Sequence, residues 1–142
     1  MISASSKQVP RIGVGILVIK DNKVLLGRRS GKHGDGCYGP PGGNLEFGET
    51  IEACAIRELA EETGLKALSV QVGPWTEDIF DDQKHYISFF CITTEFEGIP
   101  EVLEPAKCHD WGWYDWDELP SPLFLPMESF LKENVGNFRV FH

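Results

Sequence analysis

Residues 42–65 of the chain read GGNLEFGETIEACAIRELAEETGL, and the rest of the chain is best understood around this stretch. A glycine pair leads into a short loop, and the loop leads into a run with helical spacing. The run closes at Gly64, a residue suited to the left-handed conformation that ends many helices. At 100° per residue, the three glutamates of this predicted helix project from an arc of roughly 100°. They are Glu58, Glu61 and Glu62, and the apolar side chains expected to face a core opposite them are Ala55, Ile56, Leu59 and Ala60.

This glutamate cluster has two interpretations. Glutamates on a helix often form a solvated face, and like charges three or four residues apart cost an isolated helix roughly 0.2–0.5 kcal/mol per pair. A hard cation with oxygen ligands would turn that small penalty into a binding site. The second interpretation predicts a site for Mg²⁺, with Mn²⁺ as a possible substitute.

The spacing of the fixed positions favours the metal site. They match the pattern G-x5-E-x7-R-E-U-x-E-E-x-G-U, where U is a bulky aliphatic residue. The nine residues that fill it are Gly43, Glu49, Arg57, Glu58, Leu59, Glu61, Glu62, Gly64 and Leu65. This stretch resembles the signature of the Nudix hydrolases. The resemblance implies an α/β fold in which a mixed β-sheet lies between helices, an α/β/α sandwich.

The resemblance also implies roles for the residues around the helix. Glu58 and Glu62 would be metal ligands, joined by the main-chain carbonyl of Gly42. Glu61 would be either a third ligand or the general base of the reaction. Arg57 would orient Glu58 or pair with Glu61. Glu49 would be the structural partner that supports this arginine from the end of the loop.

Residues outside the helix are candidates for binding the substrate. Arg29 ends a predicted strand, and its guanidinium can hold phosphate oxygens with two hydrogen bonds, although a solvated strand-end arginine is the simpler alternative. Glycines let the backbone approach a phosphate, a metal or a flat base closely. The remaining candidates are Gly43 in the loop, Gly13 or Gly15 in the first strand, Leu45, and the turn 123–128 with its one acidic residue, Glu128.

The pattern along the chain predicts strands interleaved with two helices, which favours an α/β fold. The segments 11–20 and 23–29 are expected to form a hairpin turning at Asp21-Asn22, followed by a loop over 30–43. After the signature we expect a strand over 65–80 that turns at Gly73-Pro74, a long strand over 85–96 and an aromatic strand over 110–116. A last helix is expected over 127–134.

Length and composition bound the class of protein. The 142 residues suit one domain, predicted over 11–142 behind a flexible segment 1–10. Twenty-two acidic residues against 13 basic ones give a net charge of −9, which disfavours binding to a nucleic-acid polymer but not to a single nucleotide held through metal ions. Four cysteines without C-x-x-C spacing are expected to be buried free thiols. With no apparent signal or membrane-length segment, the sequence predicts a cytoplasmic protein, and resemblance alone suggests a homodimer.

A second set of motifs narrows the expected reaction. The segments LLGRR, LEFGET and EPAKCHDWGWYDWDELP resemble the small Nudix diphosphatases that cleave (d)NTPs, some of them modified, to the monophosphate and pyrophosphate. Two alternatives remain at this point. One is hydrolysis of another Nudix substrate, such as ADP-ribose, a dinucleoside polyphosphate, a pterin triphosphate or a prenyl diphosphate. The other is a nucleotide-binding sensor without catalysis, which the three complete glutamates disfavour.

Overall fold

The computed structural model describes residues 8–31 and 33–134. Its strands are β1 (Arg11–Lys20), β2 (Lys23–Arg29), β3 (Tyr38–Gly39), β4 (Gly42–Asn44), β5 (Lys66–Ala67), β6 (Gln71–Ile79), β7 (His85–Thr93), β8 (Phe96–Glu97) and β9 (Cys108–Asp115). Its helices are α1 (Ile51–Thr63) and α2 (Leu125–Glu133). Most of the predicted flexible segment 1–10 and the end of the predicted domain lie outside the described residues.

The main sheet is mixed, as predicted. Its order is β3-β2-β1-β7-β6, with β4 also pairing with β1 and β9 with β2. Strands β1 and β7 run parallel along eight paired residues, whereas the other pairs within this sheet are antiparallel. A second, two-stranded sheet joins β5 to β8.

Two apolar clusters cover the two faces of the main sheet, one beneath each helix. The first cluster includes Ala55 and Leu59 of α1 together with Val14 and Ile16 of β1. The second includes Met127 and Phe130 of α2, with neighbouring residues of β1, β2 and β7. Because each helix buries its apolar side against a different face, the fold is the expected α/β/α sandwich.

The site-forming feature of the sheet is the separation of β1 from β2. The hairpin turns at Asp21 and Asn22, both with positive φ. The two strands pair only beside this turn, where Ile19 opposes Val24 and Lys20 opposes Lys23. Further from the turn, β4 pairs with β1 and β3 pairs with β2. The strands thus diverge, and the gap between them is open to the glutamates of α1.

Helix α1 begins and ends as its sequence predicts. The Thr50 side chain caps it by accepting from the Ala53 N–H, and Gly64 closes it with a φ of 81°. The predicted apolar face is partly wrong: Ala55 and Leu59 are buried, but Ile56 and Ala60 are exposed. The reason is that the buried side of α1 is rotated toward the gap between β1 and β2.

That buried arc contains Cys54, Ala55, Glu58, Leu59, Glu62 and Thr63. Two glutamates therefore occupy part of the surface that an amphipathic helix normally gives to apolar residues. Their burial is a structural cost with no apolar gain, which marks them as functional candidates.

Three predicted segments differ in detail from the structure. The predicted loop 30–43 includes β3, which pairs with β2, and the start of β4, where Gly42 and Gly43 pair with β1. The predicted strand 65–80 is two strands, β5 and β6, which belong to different sheets, and residues Gly73-Pro74 do not turn the chain. They form an irregularity inside β6, where the register shifts between Val72 and Trp75, and an edge strand tolerates a proline in this way. The long strand ends at Thr93, and Phe96 belongs to β8.

The cysteines are free, as predicted: Cys54, Cys91 and Cys108 are buried and Cys37 is half-buried. Burial raises the pKa of the Cys54 thiol to about 12 and that of Cys91 to about 11. These thiols are therefore protonated packing groups at neutral pH. Among the described residues, no helix has the length and apolar character needed to cross a membrane.

Candidate active site

A groove of about 530 Å³ lies where β1 and β2 separate, and two carboxylates of α1 line it. Glu58 is 5% exposed and Glu62 is 7% exposed. The Gly42 N–H donates to Oε2 of Glu62 at 3.3 Å. Gly43 lies so close to the Glu58 carboxylate that a Cβ atom at this position would overlap it. The missing side chain of Gly43 lets the β4 backbone lie directly against Glu58, and that of Gly42 lets it approach the β1 backbone.

Arg57 organises the carboxylates from the helix side. Its Nε donates to Glu49 at 2.6 Å and its Nη2 donates to the other oxygen of Glu49 at 3.0 Å, so this pair is held by two hydrogen bonds. Its Nη1 donates to Oε2 of Glu58 at 3.0 Å and to Oε1 of Glu61 at 3.2 Å. These hydrogen bonds lower the pKa of Glu49 to about 2 and raise the pKa of Arg57. Both options that the sequence left open for Arg57 are present at once.

The buried carboxyl groups of Glu58 and Glu62 repel each other when both are ionised. Burial, followed by the neighbouring Glu58 carboxylate, raises the pKa of Glu62 to about 8. Oε1 of Glu58 is buried and has no hydrogen-bond partner within the described part of the chain. A buried carboxylate oxygen without a donor costs free energy unless a cation or a proton meets it.

These observations fit a hard divalent cation at the pair. Two neighbouring carboxyl groups, with one Glu58 oxygen that accepts no hydrogen bond from the described residues, offer the oxygen ligands that Mg²⁺ and Mn²⁺ take in proteins. The fit is incomplete on the side chains alone, because in residues 8–31 and 33–134 no group of three or more His, Cys, Asp or Glu side chains converges as a metal site. Glu61 is the missing member: it is half exposed and directed to Arg57. Its proposed place as third ligand or base therefore stays a prediction.

Arg29 lies at the boundary between this groove and an adjoining aromatic cavity of about 90 Å³. Its Nε donates to the main-chain oxygen of His33 at 3.2 Å, and its guanidinium carbon lies 3.9 Å from the centre of the Phe124 ring. Burial lowers the pKa of Arg29, and the charge of Glu62 opposes that shift. Arg29 is thus a partly buried, stacked cation beside the carboxylate pair, not a solvated strand end.

Four rings form one wall of the aromatic cavity. The His33 ring lies 4.3 Å from Phe80, 5.1 Å from Tyr86 and 5.3 Å from Phe124, centre to centre. Burial, then the charges of Arg29 and Lys84, lowers the pKa of His33, so the ring is neutral at pH 7. A largely apolar cavity lined by aromatic rings, with a cation at its mouth, suits a nucleobase.

The residues of this cavity were only partly predictable from the sequence. Gly13, Gly15, Phe124 and Pro126 line it, in agreement with the predicted walls. The other three rings come from separate segments: His33 from the loop after β2, Phe80 from the turn after β6, and Tyr86 from β7. No local motif connects these positions. An aromatic residue at the end of a strand was the only available signal, and it equally predicts core packing.

Two predicted wall residues lie elsewhere. Leu45 packs against the first apolar cluster beneath α1, since the alternation along β4 directs it away from the groove that Asn44 lines. Glu128 is exposed in the first turn of α2. Two residues before it on the same helix, Pro126 lines the cavity. Neither Leu45 nor Glu128 is among the residues that line the aromatic cavity.

The family is established by comparison. The NUDIX domain model matches residues 9–134, so this chain belongs to the Nudix family. The chain is 35% identical to an ADP-ribose pyrophosphatase of Methanocaldococcus jannaschii, over 87% of this chain and 72% of that protein. It is 31% identical to an oxidized purine nucleoside triphosphate hydrolase of Danio rerio, over 87% of this chain and 83% of that one. Among solved structures, a MutT NUDIX hydrolase from Burkholderia pseudomallei superimposes with a TM-score of 0.80 at 29% identity, covering 85% of this chain and 98% of its own.

The comparisons define the chain as a Nudix hydrolase, an enzyme class that acts on small nucleotide substrates and generally uses divalent metal ions. The two relatives are named for different substrates. Assignment of the substrate therefore depends on the geometry of the groove and the cavity.

Proposed function

We propose that this protein hydrolyses a nucleoside triphosphate, a dNTP or a modified dNTP, to the monophosphate and pyrophosphate. One observation carries the proposal: the aromatic cavity opens through Arg29 directly into the groove that holds Glu58 and Glu62. A base bound in the cavity would direct its phosphates past the arginine and toward the carboxylates. The Danio rerio relative, a hydrolase of oxidized purine nucleoside triphosphates, supports the same substrate class.

The chain's own residues supply binding, orientation and charge. Glu58 and Glu62, with the Gly42 carbonyl, would hold Mg²⁺ or Mn²⁺. Such an ion, when bound, neutralises phosphate charge and activates water for attack at phosphorus. Arg57 would keep Glu58 in place while Glu49 holds the arginine with two hydrogen bonds. Arg29 would hold phosphate oxygens at the mouth of the cavity.

The proposed role of Glu61 follows from its exposure. Its carboxylate is free to leave the Arg57 hydrogen bond at modest cost, because exposed ion pairs contribute only about 0–1 kcal/mol. It could then take part as general base or as a third ligand. Gly43 and Gly15 would let phosphate and base approach the backbone of β4 and β1.

ADP-ribose is the second candidate substrate, supported by the Methanocaldococcus jannaschii relative. It also presents a base and a diphosphate, so the cavity, Arg29 and the carboxylate pair would serve it in the same order. The two substrates differ beyond the diphosphate, where one carries a further phosphate and the other a neutral sugar.

A hydrolysis panel tests the proposal. The purified protein with Mg²⁺ is given dGTP, 8-oxo-dGTP, dCTP, dTTP and ADP-ribose, and the products are separated by chromatography. The proposal expects the triphosphates to give dNMP and pyrophosphate with the higher kcat/KM. A higher kcat/KM for ADP-ribose, giving AMP and ribose 5-phosphate, would replace it with the second candidate, and binding without turnover would support a sensor.

Three further properties belong to the proposal and rest on sequence and family alone. Activity should require Mg²⁺ or Mn²⁺, and excess EDTA should abolish it. A homodimer is expected, and sedimentation of the purified protein would measure it. We also propose a cytoplasmic location, which fractionation of the source cells would test.

A further inference from the structure

Lys107 lines the groove in the part that the aromatic cavity does not share. It lies in the turn before β9, and its charge is close enough to Glu62 to act on that carboxylate. Its side chain is 59% exposed, with Glu104 as its ion-pair partner at 3.5 Å. The cation is therefore available to a ligand in the groove.

Hydrogen bonds join the backbone around Lys107 to the residue that follows β2. The Ser30 N–H donates to the Lys107 carbonyl at 2.9 Å, and the Ser30 hydroxyl contacts the carbonyls of Ala106 at 3.0 Å and Pro105 at 3.2 Å. The Lys107 N–H donates to the Glu104 carbonyl at 2.9 Å. Ser30 follows Arg29 directly, so one short segment positions both cations relative to the carboxylates.

Arg29 borders the cavity, whereas Lys107 and the carboxylate pair lie only in the groove. A ligand that places its base in the cavity would reach Arg29 first. Its later phosphates would pass along the groove, where Lys107 is an exposed point charge that a phosphate can meet without displacing a buried contact. ADP-ribose has no further phosphate to offer there.

We propose that Lys107 binds the outer phosphates of a polyphosphate substrate, those released as pyrophosphate, and thereby favours triphosphates over diphosphate-linked sugars. The proposal rests on the proposed function for the identity of the substrate. Its binding component can be tested without any turnover.

The chain offers a matched control. Lys84 also lines the groove and also pairs with an acid, Asp82, at 3.4 Å, but its charge acts on His33 of the aromatic cavity. Lys84→Met and Lys107→Met each remove one charge and retain most of the aliphatic stem. They differ in which end of the site loses the charge.

The experiment measures dissociation constants by calorimetry with Mg²⁺ present, using inorganic pyrophosphate and dGMP as separate ligands. For Lys107→Met we expect pyrophosphate binding to weaken about tenfold or more, the scale of a lost hydrogen bond to a charged group. The dissociation constant for dGMP should change less than about twofold, because dGMP has no outer phosphates and loses no such hydrogen bond. Lys107→Arg should restore pyrophosphate binding, and Lys84→Met should leave it near the wild-type value.

Unchanged pyrophosphate binding in Lys107→Met would overturn the proposal, and so would an equal loss of pyrophosphate and dGMP binding. Thermal unfolding of each variant checks that the fold is intact. The outcome is independent of the hydrolysis panel. If the wild type does not cleave triphosphates, the proposed function is refuted. If Lys107→Met nevertheless binds pyrophosphate more weakly than the wild type, the role of Lys107 is retained.

Discussion

The two halves of the site are built in different ways. The carboxylate half comes from one continuous segment, in which β4, the following loop and α1 place Gly42, Glu49, Arg57, Glu58 and Glu62 together. The aromatic half is assembled from separate segments, with rings from the loop after β2, the end of β6, β7 and the turn before α2. The first half is suited to one fixed chemistry. The second draws its rings from positions that can change independently of one another.

The carboxylate half should show the largest response to a single substitution. Glu58→Gln keeps the size of the side chain but removes the charge from the buried, unpartnered oxygen. We expect kcat to fall by about a hundredfold or more, because a hydrolysis assisted by a metal ion depends on charged ligands. The melting temperature without metal should change little, since the variant also removes the repulsion with Glu62.

Glu52→Gln is the matched control on the same helix, because Glu52 lies exposed in the first turn of α1. It should retain wild-type turnover. Wild-type turnover in Glu58→Gln as well would remove the carboxylate pair from the proposed mechanism.

The aromatic half should respond in KM and not in kcat. Phe124→Leu keeps apolar volume but removes the aromatic face beneath Arg29 and beside His33. We expect KM for a nucleotide substrate to rise about tenfold, since stacking of one base on one ring contributes about 1–3 kcal/mol. Steady-state kinetics on the best substrate of the panel measure this. Phe47→Leu is the control, because Phe47 is fully exposed in the loop before α1.

A fall in kcat at unchanged KM for Phe124→Leu would contradict the division between the two halves. It would mean that the aromatic wall positions the reacting phosphate and not the base.

The same division explains what could be predicted from sequence. Periodicity and capping residues identified α1, and its spacing located Glu58 and Glu62, because these properties are local. The partial exposure of Glu61 was not predictable, since Arg57 donates hydrogen bonds to three carboxylates at once, of which Glu61 is one. The rings of His33, Phe80 and Tyr86 were missed because only the pairing of β1 with β7 and the separation of β1 from β2 bring them together. Leu45 was predicted on the wrong face of the sheet, because a shift of one residue along a strand moves a side chain to the opposite face.

Stability should depend on pH through Glu62 when metal is absent. In the unfolded chain this carboxyl titrates near its ordinary value of 4.5, whereas burial and then Glu58 raise its folded pKa to about 8. Between these values the folded state binds more protons than the unfolded state, so the free energy of unfolding falls as pH rises. This contribution is complete below about pH 4.5 and is lost as pH rises through about 8.

Urea unfolding in EDTA at pH 5, 6.5 and 8 would measure the effect. Glu62→Gln cannot titrate and should flatten this part of the pH dependence. An equal slope in the wild type and in Glu62→Gln would show that the pair is already neutralised in another way. Added Mg²⁺ should stabilise the wild type, because a ligand that binds only the folded state raises its stability. The effect should be greatest at pH 8, where the Glu62 carboxyl is most ionised of the three conditions.

The smallest expected effect concerns the attachment of α2, the helix that follows Phe124. Asp78 of β6 is buried at 6% exposure, and both of its carboxylate oxygens accept hydrogen bonds, one from Thr76 at 2.9 Å and one from Ser129 of α2. Elsewhere the helix packs through apolar side chains such as Met127 and Phe130.

Ser129→Ala should lower the free energy of unfolding by about 1–3 kcal/mol, the range for hydrogen bonds to charged groups and for buried acceptors that lose a donor. It should raise KM by only about twofold, because the backbone bond from Phe124 to Tyr38 still holds the start of the helix. Denaturant unfolding and steady-state kinetics on the same preparation would measure both values. A KM effect as large as that of Phe124→Leu would show that the aromatic wall is held by this single buried carboxylate, and the two halves of the site would then differ in rigidity as well as in origin.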